Sequence, residues 1–258
     1  MKEKIVEALS RIEAEHEVKI IYACEAGSRA WGTASEESDY DVRFIYIHPV
    51  SWYLSIEQKR EVMDIQLTAE LDMVGWDMRK TLALLKKSNP TILEWLQSRI
   101  VYHENPLIVA ECKSLSKKTF SEKTCLYHYL NMAKRNAKGS FHSPDAYANV
   151  KLVLNVVKPL LACRWIKKYH SMPPNEFVYL MDHIPKSGVL RTEVEAILEK
   201  KLKREKEISI NELGAIQKFI EEQIGCLTDY VKRLEENKKA DTDAFDQLFQ
   251  RTLKTVWN

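Results

Sequence analysis

No stretch of this sequence approaches the roughly 18 to 20 consecutive apolar residues that a membrane-crossing helix needs. The first residues, Met1-Lys2-Glu3-Lys4-Ile5, also lack the apolar core and small-residue cleavage pattern of a secretory signal. The expectation is therefore a soluble cytoplasmic protein with no membrane partner. An excess of one charge sign is missing too, since 39 lysines and arginines stand against 37 acids for a formal net charge of +2. That balance removes any global argument for a polyanion, so a site for one must be local. Cysteine is scarce and unpatterned. Cys24, Cys112, Cys125, Cys163 and Cys226 are an odd number with no Cys-x-x-Cys pair, which argues against a disulfide framework or a zinc site and for reduced thiols. No internal repeat or low-complexity segment stands out. At 258 residues the chain can bury a core without staples, and two unequal domains fit best.

What is present begins with Ile5, Leu9 and Ile12 at helical spacing, followed by the β-branched run Val18 to Cys24. A short helix is predicted over Arg29-Ala30-Trp31-Gly32, closed by Gly32, and a second strand from Asp41 to Ile47 that Pro49 stops. Trp52 to Leu54 reads as a brief helix. Met63 to Leu67 and Glu70 to Val74 alternate like strands, and a helix capped by Asp77 runs to the Asn89-Pro90 break. Thr91 to Gln97 predicts another helix and Ile100-Val101-Tyr102 an edge strand. From about Glu111 onward the pattern is helical, with breaks at Gly139 to Pro144, Pro173-Pro174 and Lys186 to Gly188. The expected fold class is α+β: a small mixed sheet with flanking helices over 1–108, then an all-helical domain over 109–258, with the substrate cleft between them.

The sharpest motif lies between the first two strands. Gly27-Ser28 is followed after ten intervening residues by Asp39-Tyr40-Asp41-Val42. Residues two apart on a strand point the same way, so Asp39 and Asp41 are expected to present both carboxylates on one face. Paired hard oxygen ligands suit Mg²⁺ or Mn²⁺. Gly27 lets a backbone approach a phosphate closely, and the Ser28 hydroxyl adds a donor. Either fragment alone also has a bland reading, because Asp-rich turns and Gly-Ser pairs are common; the ordered combination of strand, Gly-Ser, helix and strand is more specific.

That combination resembles the DNA polymerase beta-like nucleotidyltransferase superfamily. The fuller strings Ala26-Gly27-Ser28-Arg29-Ala30-Trp31-Gly32 and Ser38-Asp39-Tyr40-Asp41-Val42-Arg43, with Gly75-Trp76-Asp77 ahead of a helix, are similar to its RlaP-like (YcgL-type) branch. The resemblance implies transfer of a nucleoside monophosphate from a nucleoside triphosphate, ATP as the first choice, to an acceptor that is a small molecule, an RNA or a protein. Asp39 and Asp41 would bind the metals. It also implies a third carboxylate from a neighbouring strand, for which Asp72, an acid between Leu71 and Met73, is the first choice. Glu70 is the rival, since strand alternation puts it on the same face; Asp64 lies too early to be preferred. Two alternatives stay open: a module that keeps the fold without turnover, and an RNA-end-processing partner.

Arg29, Arg43 and Lys80 are candidate phosphate ligands, each with a plain ion-pair reading beside it. Trp31 and Trp76 would stack on a base or close a core edge. Tyr127-His128-Tyr129 reads as packed helix, and His48 and His142 as loop residues. Lys151, Lys158, Arg164, Lys167 and Lys168 make one helix locally basic, with Lys151 and Lys158 on one face as either an acceptor contact or a solvated face. An exposed face on the long carboxy-terminal helix would support a homodimer.

Overall fold

The structure, a computed structural model, describes residues 1–140, 147–235 and 241–258, with the side chains of 139 and 140 outside the description. By contacts the chain divides into two units: Met1–Ala30, Ser38–Phe120 and Lys238–Asn258 form the first, Trp31–Glu37 and Ser121–Asn237 the second. The division is not a single cut. The expected boundary after residue 108 falls inside the first unit, which also takes in the last helix.

The first unit is built on a five-stranded mixed sheet of order β3-β4-β2-β1-β5, with β1 Lys19–Glu25, β2 Tyr40–Ile47, β3 Val62–Thr68, β4 Leu71–Asp77 and β5 Val101–Glu104. The helices of this unit are α1 Lys2–His16, α2 Gly27–Ala30, α3 Val50–Tyr53, α4 Met78–Lys86, α5 Pro90–Gln97, α6 Pro106–Lys118 and α12 Thr242–Trp257. All neighbouring strands pair antiparallel except β2 with β4, which run parallel. Ile5, Ala8, Leu9 and Ile12 of α1 form a buried cluster with Ile20, Ala23, Val42, Phe44, Tyr46 and Met73, so α1 covers that face of the sheet. The opposite face carries Trp76, whose ring lies 4.0 Å from that of Trp95 on α5.

Local signals account for the element ends. Asp77 accepts the Arg79 N–H at 2.8 Å, and Asn89 and Asn105 cap α5 and α6 ahead of a proline at the first turn. β4 runs on through Gly75-Trp76-Asp77, beyond the Val74 end expected for it, and β5 is the edge strand foreseen.

The second unit holds α7 Glu122–Ser140, α8 Val150–Tyr169, α9 Phe177–Met181, α10 Val189–Leu202 and α11 Gly214–Arg233. It is helical as expected, with one addition. β6 Tyr147–Asn149 and β7 Glu207–Ser209 form a two-stranded antiparallel sheet, too short for a periodicity of two to show in the sequence. α8 packs on α7, α9, α10 and α11. Ile216, Phe219, Ile220 and Leu227 bury the inner stripe of α11.

Among the described residues no helix is long and apolar enough to cross a membrane.

Candidate active site

The Gly-Ser motif and the acidic motif meet at one end of the sheet because β1 and β2 are antiparallel neighbours. The turn after β1 and the start of β2 therefore lie side by side, tied by Ala26 N–H donating to the Asp41 carbonyl at 2.8 Å. Gly27 adopts φ +57°, and a Cβ built there would lie 1.9 Å from Asp41 Oδ2. Only glycine fits both the left-handed backbone and the carboxylate beside it. The glycine thus makes room for Asp41, a role the sequence motif did not by itself assign. Ser28, half-buried, is the next residue of α2.

Asp72 stands directly opposite Asp41 in the parallel β2–β4 register. Both carboxylates converge on one cation: Arg43 Nη2 lies 3.1 Å from Asp41 Oδ1, and its Nη1 lies 2.9 Å from Asp72 Oδ2. Glu70 is not brought to this point. It sits exposed in the β3–β4 turn, where its carbonyl accepts the Tyr40 N–H at 2.8 Å. Asp39 is exposed and lies one residue before β2 begins. Among the described residues no group of three or more His, Cys, Asp or Glu side chains is gathered as a metal site. A magnesium ion does not require such a cage, as it is commonly held by one or two protein carboxylates together with substrate phosphates and water. The Asp41–Asp72 pair, already neutralised by a single positive charge, is a donor set that fits it.

A family model described as RlaP, RNA repair pathway DNA polymerase beta family, matches residues 1–251. A protein of Bacillus subtilis (strain 168) named "Uncharacterized protein YcgL" is 42 % identical over 258 residues, covering 100 % of this chain and 98 % of that one. The chain belongs to the RlaP family. A crystal structure of a nucleotidyltransferase-like protein from Exiguobacterium sibiricum 255-15 aligns over 89 % of this chain and 91 % of that chain, at 12 % identity and a TM-score of 0.31.

In this RlaP-family chain the other sequence candidates are placed as follows. Arg29 donates from Nη2 to the Ser38 carbonyl at 2.6 Å and from Nε to the Asp39 carbonyl at 3.2 Å, and its guanidinium lies 3.7 Å from the centre of the Tyr40 ring. It therefore braces the segment that presents Asp39. Lys80 sits 5.7 Å over the Trp76 ring; Trp76 shares the Asp72 face of β4, but four residues, roughly 13 Å, further along it. Trp76 closes against Trp95, and Trp31, in the second unit, lies 3.8 Å from the Lys158 ammonium. Lys158 is buried rather than solvated, so α8 does not present a uniformly solvated basic face. His48 follows β2 as foreseen but is buried, 3.2 Å from Asp77 Oδ2. Tyr129 is buried, with the His128 ring edge-on to it at 5.5 Å. His142 lies outside the described residues.

Glu25 was not singled out from the sequence. It is wholly buried at the end of β1, where its carboxylate accepts the Asp41 N–H at 2.7 Å and the Tyr102 hydroxyl on β5. Asp41 is thus held at its N–H by Glu25 and at its carbonyl by Ala26. Burial is the main cause raising the Glu25 pKa above the ordinary carboxylate value, opposed by the two hydrogen bonds it accepts and reinforced by the Asp41 charge. The one sequence signal was an acid closing an apolar strand run just before Gly-Ser.

A raised native pKa means that the folded chain holds the Glu25 proton more tightly than the unfolded chain. The resulting stability is complete below the ordinary carboxylate pKa and is lost as pH rises through the native one. Chemical denaturation from pH 4 upward is expected to show that falling segment in the wild type and to lack it in Glu25→Gln.

Proposed function

We propose that the chain is a metal-dependent nucleotidyltransferase that moves a nucleoside monophosphate from a nucleoside triphosphate, ATP first, to a hydroxyl or phosphate oxygen of an acceptor. The bond from the α-phosphorus to the bridging oxygen breaks, the bond from the acceptor oxygen to that phosphorus forms, and pyrophosphate leaves. The observation that carries this reading is the Asp41–Asp72 register pair converging on one positive charge beside Gly27. Asp41 and Asp72, joined by Asp39 from the segment before β2, would hold Mg²⁺ or Mn²⁺. The bound ions would supply Lewis-acid stabilisation of charge on the transferring phosphoryl group and the leaving pyrophosphate.

The chain's own groups divide the remaining work. Asp72 takes the acceptor proton, helped by its place on a strand next to Asp41. Ser28 and the N–H groups beginning α2 face the triphosphate, and Arg43 exchanges a carboxylate partner for a phosphate oxygen when substrate enters. Arg29 keeps Asp39 in place, and Lys80 is a more distant phosphate contact. Among acceptors an RNA end is favoured by the RNA repair description of the family. All five cysteines are free thiols, four of them buried, which suits the reducing cytoplasm.

Calorimetric titration of each nucleoside triphosphate, with and without magnesium, tests the reading. Metal-dependent binding is expected in the wild type and its loss in Asp39→Ala/Asp41→Ala. Failure of the wild type to bind any of them, or an unchanged double variant, would overturn it.

A further inference from the structure

At the end of the sheet opposite Asp41 and Asp72, roughly 20 Å along β2 by strand rise, the first unit has a cavity of about 490 Å³ lined by Trp52, Tyr53, Glu57, Lys59, Glu61 and Arg79 among others. Its aromatic wall is immobilised from behind. The Trp52 ring is stacked on His48 at 4.0 Å with an interplanar angle of 12°. His48 is fixed twice, its Nδ1 3.2 Å from Asp77 Oδ2 and its N–H donating to the Tyr53 hydroxyl at 3.1 Å, while that hydroxyl donates to the same Asp77 oxygen at 2.7 Å. Asp77 is itself wholly buried. The rings are therefore set before any ligand arrives, which lowers the ordering cost of binding.

Two cations lie over this wall. Arg79 is 5.7 Å from the Trp52 ring centre and 5.4 Å from that of Tyr53, and Lys59 is 5.5 Å from Trp52. Both are balanced by acids, with Glu57 and Glu61 in the same lining and Arg79 paired to Glu61 at 2.6 Å. The lining sums to no net charge and does not favour a phosphate chain. It offers a flat ring, a planar guanidinium and a rim of donors and acceptors, the requirements of a planar heterocycle that stacks and hydrogen-bonds at its edge.

We infer that this cavity is a second binding site, separate from the carboxylate pair, that takes a nucleobase on Trp52 with its edge read by the Glu57, Glu61 and Arg79 rim. The base comes either from a free nucleoside or from an unpaired position of an RNA, and stacking of that kind is tolerant of the base's identity.

Adenosine, AMP and ATP, titrated without metal and followed by ligand-observed NMR, are expected to bind with similar affinity and little salt dependence. Magnesium leaves adenosine binding unchanged, and so does Asp41→Asn/Asp72→Asn, which separates this site from the proposed catalytic one. Trp52→Leu, which keeps apolar bulk against His48, is expected to raise the adenosine Kd at least about tenfold, as is Arg79→Ala in a chain whose melting profile is retained. A single-stranded RNA oligonucleotide that displaces adenosine assigns the base to RNA, and one that does not assigns it to free nucleosides. No adenosine binding, binding untouched by both Trp52→Leu and Arg79→Ala, or binding lost with the two aspartates would each overturn the inference.

Discussion

Asparagine at Asp41 or Asp72 is expected to reduce nucleotidyl transfer by about a thousandfold or more, while thermal denaturation shows a chain that still folds. The size follows from removing one of two converging carboxylates, on the order of 4 kcal/mol of transition-state stabilisation. The fold survives because the amide keeps the side-chain shape, and Arg43 retains the other acid as partner. Asp41 is also anchored through its backbone, by the Glu25 carboxylate and the Ala26 N–H, contacts the substitution leaves intact. The double variant is expected to be scarcely slower than either single one, because the two acids act as a unit. Single-turnover assays with labelled nucleoside triphosphate measure the loss. Transfer within tenfold of the wild type in both single variants would remove these acids from the chemistry.

Gly75→Ala is expected to cost the fold about 3 kcal/mol or more, as seen in chemical denaturation. Gly75 pairs with Phe44 across the parallel β2–β4 ladder, and a Cβ built on it would lie 2.2 Å from Phe44 Cε2 and 2.3 Å from Cζ. Phe44 is wholly buried in the cluster under α1, so its ring cannot yield without moving neighbours; overpacking of this kind typically costs about 1–3 kcal/mol, and a contact so short belongs at or beyond the upper end. Because the same ladder sets Asp41 opposite Asp72, nucleotide binding is expected to weaken as well. Gly225→Ala is the control. Gly225 lies within α11 with nothing within 4 Å of its built Cβ, and alanine there is expected to stabilise by about 0.5–1 kcal/mol through helix propensity alone. Opposite signs from one substitution would separate packing from backbone preference.

Much of the site could be read in advance because its pieces are local. Gly27, Ser28, Asp39 and Asp41 fall within one strand-turn-strand segment, where alternation and the need for glycine at a tight approach are properties of neighbouring residues. The choice between Asp72 and Glu70 was of another kind. A period of two puts both on one face, and the β3–β4 turn removes Glu70 by ending the strand just after it. Glu25 and Tyr102 meet only because β5 pairs beside β1, and the His48–Asp77–Tyr53 cluster only because β2 and β4 end together.

By itself the sequence determined the order of helices and strands, the mixed α+β class, the family, and the Gly-Ser and acidic motif, since each rests on composition, periodicity or contiguous residues. Tertiary structure decided which acid faces Asp41, why Gly27 has no side chain, that Glu25 holds the Asp41 backbone, that Lys158 is buried, and that the final helix joins the sheet-bearing unit. These depend on strand register and on contacts between residues far apart in the chain, and a local pattern carries no information about which distant partner the fold will supply.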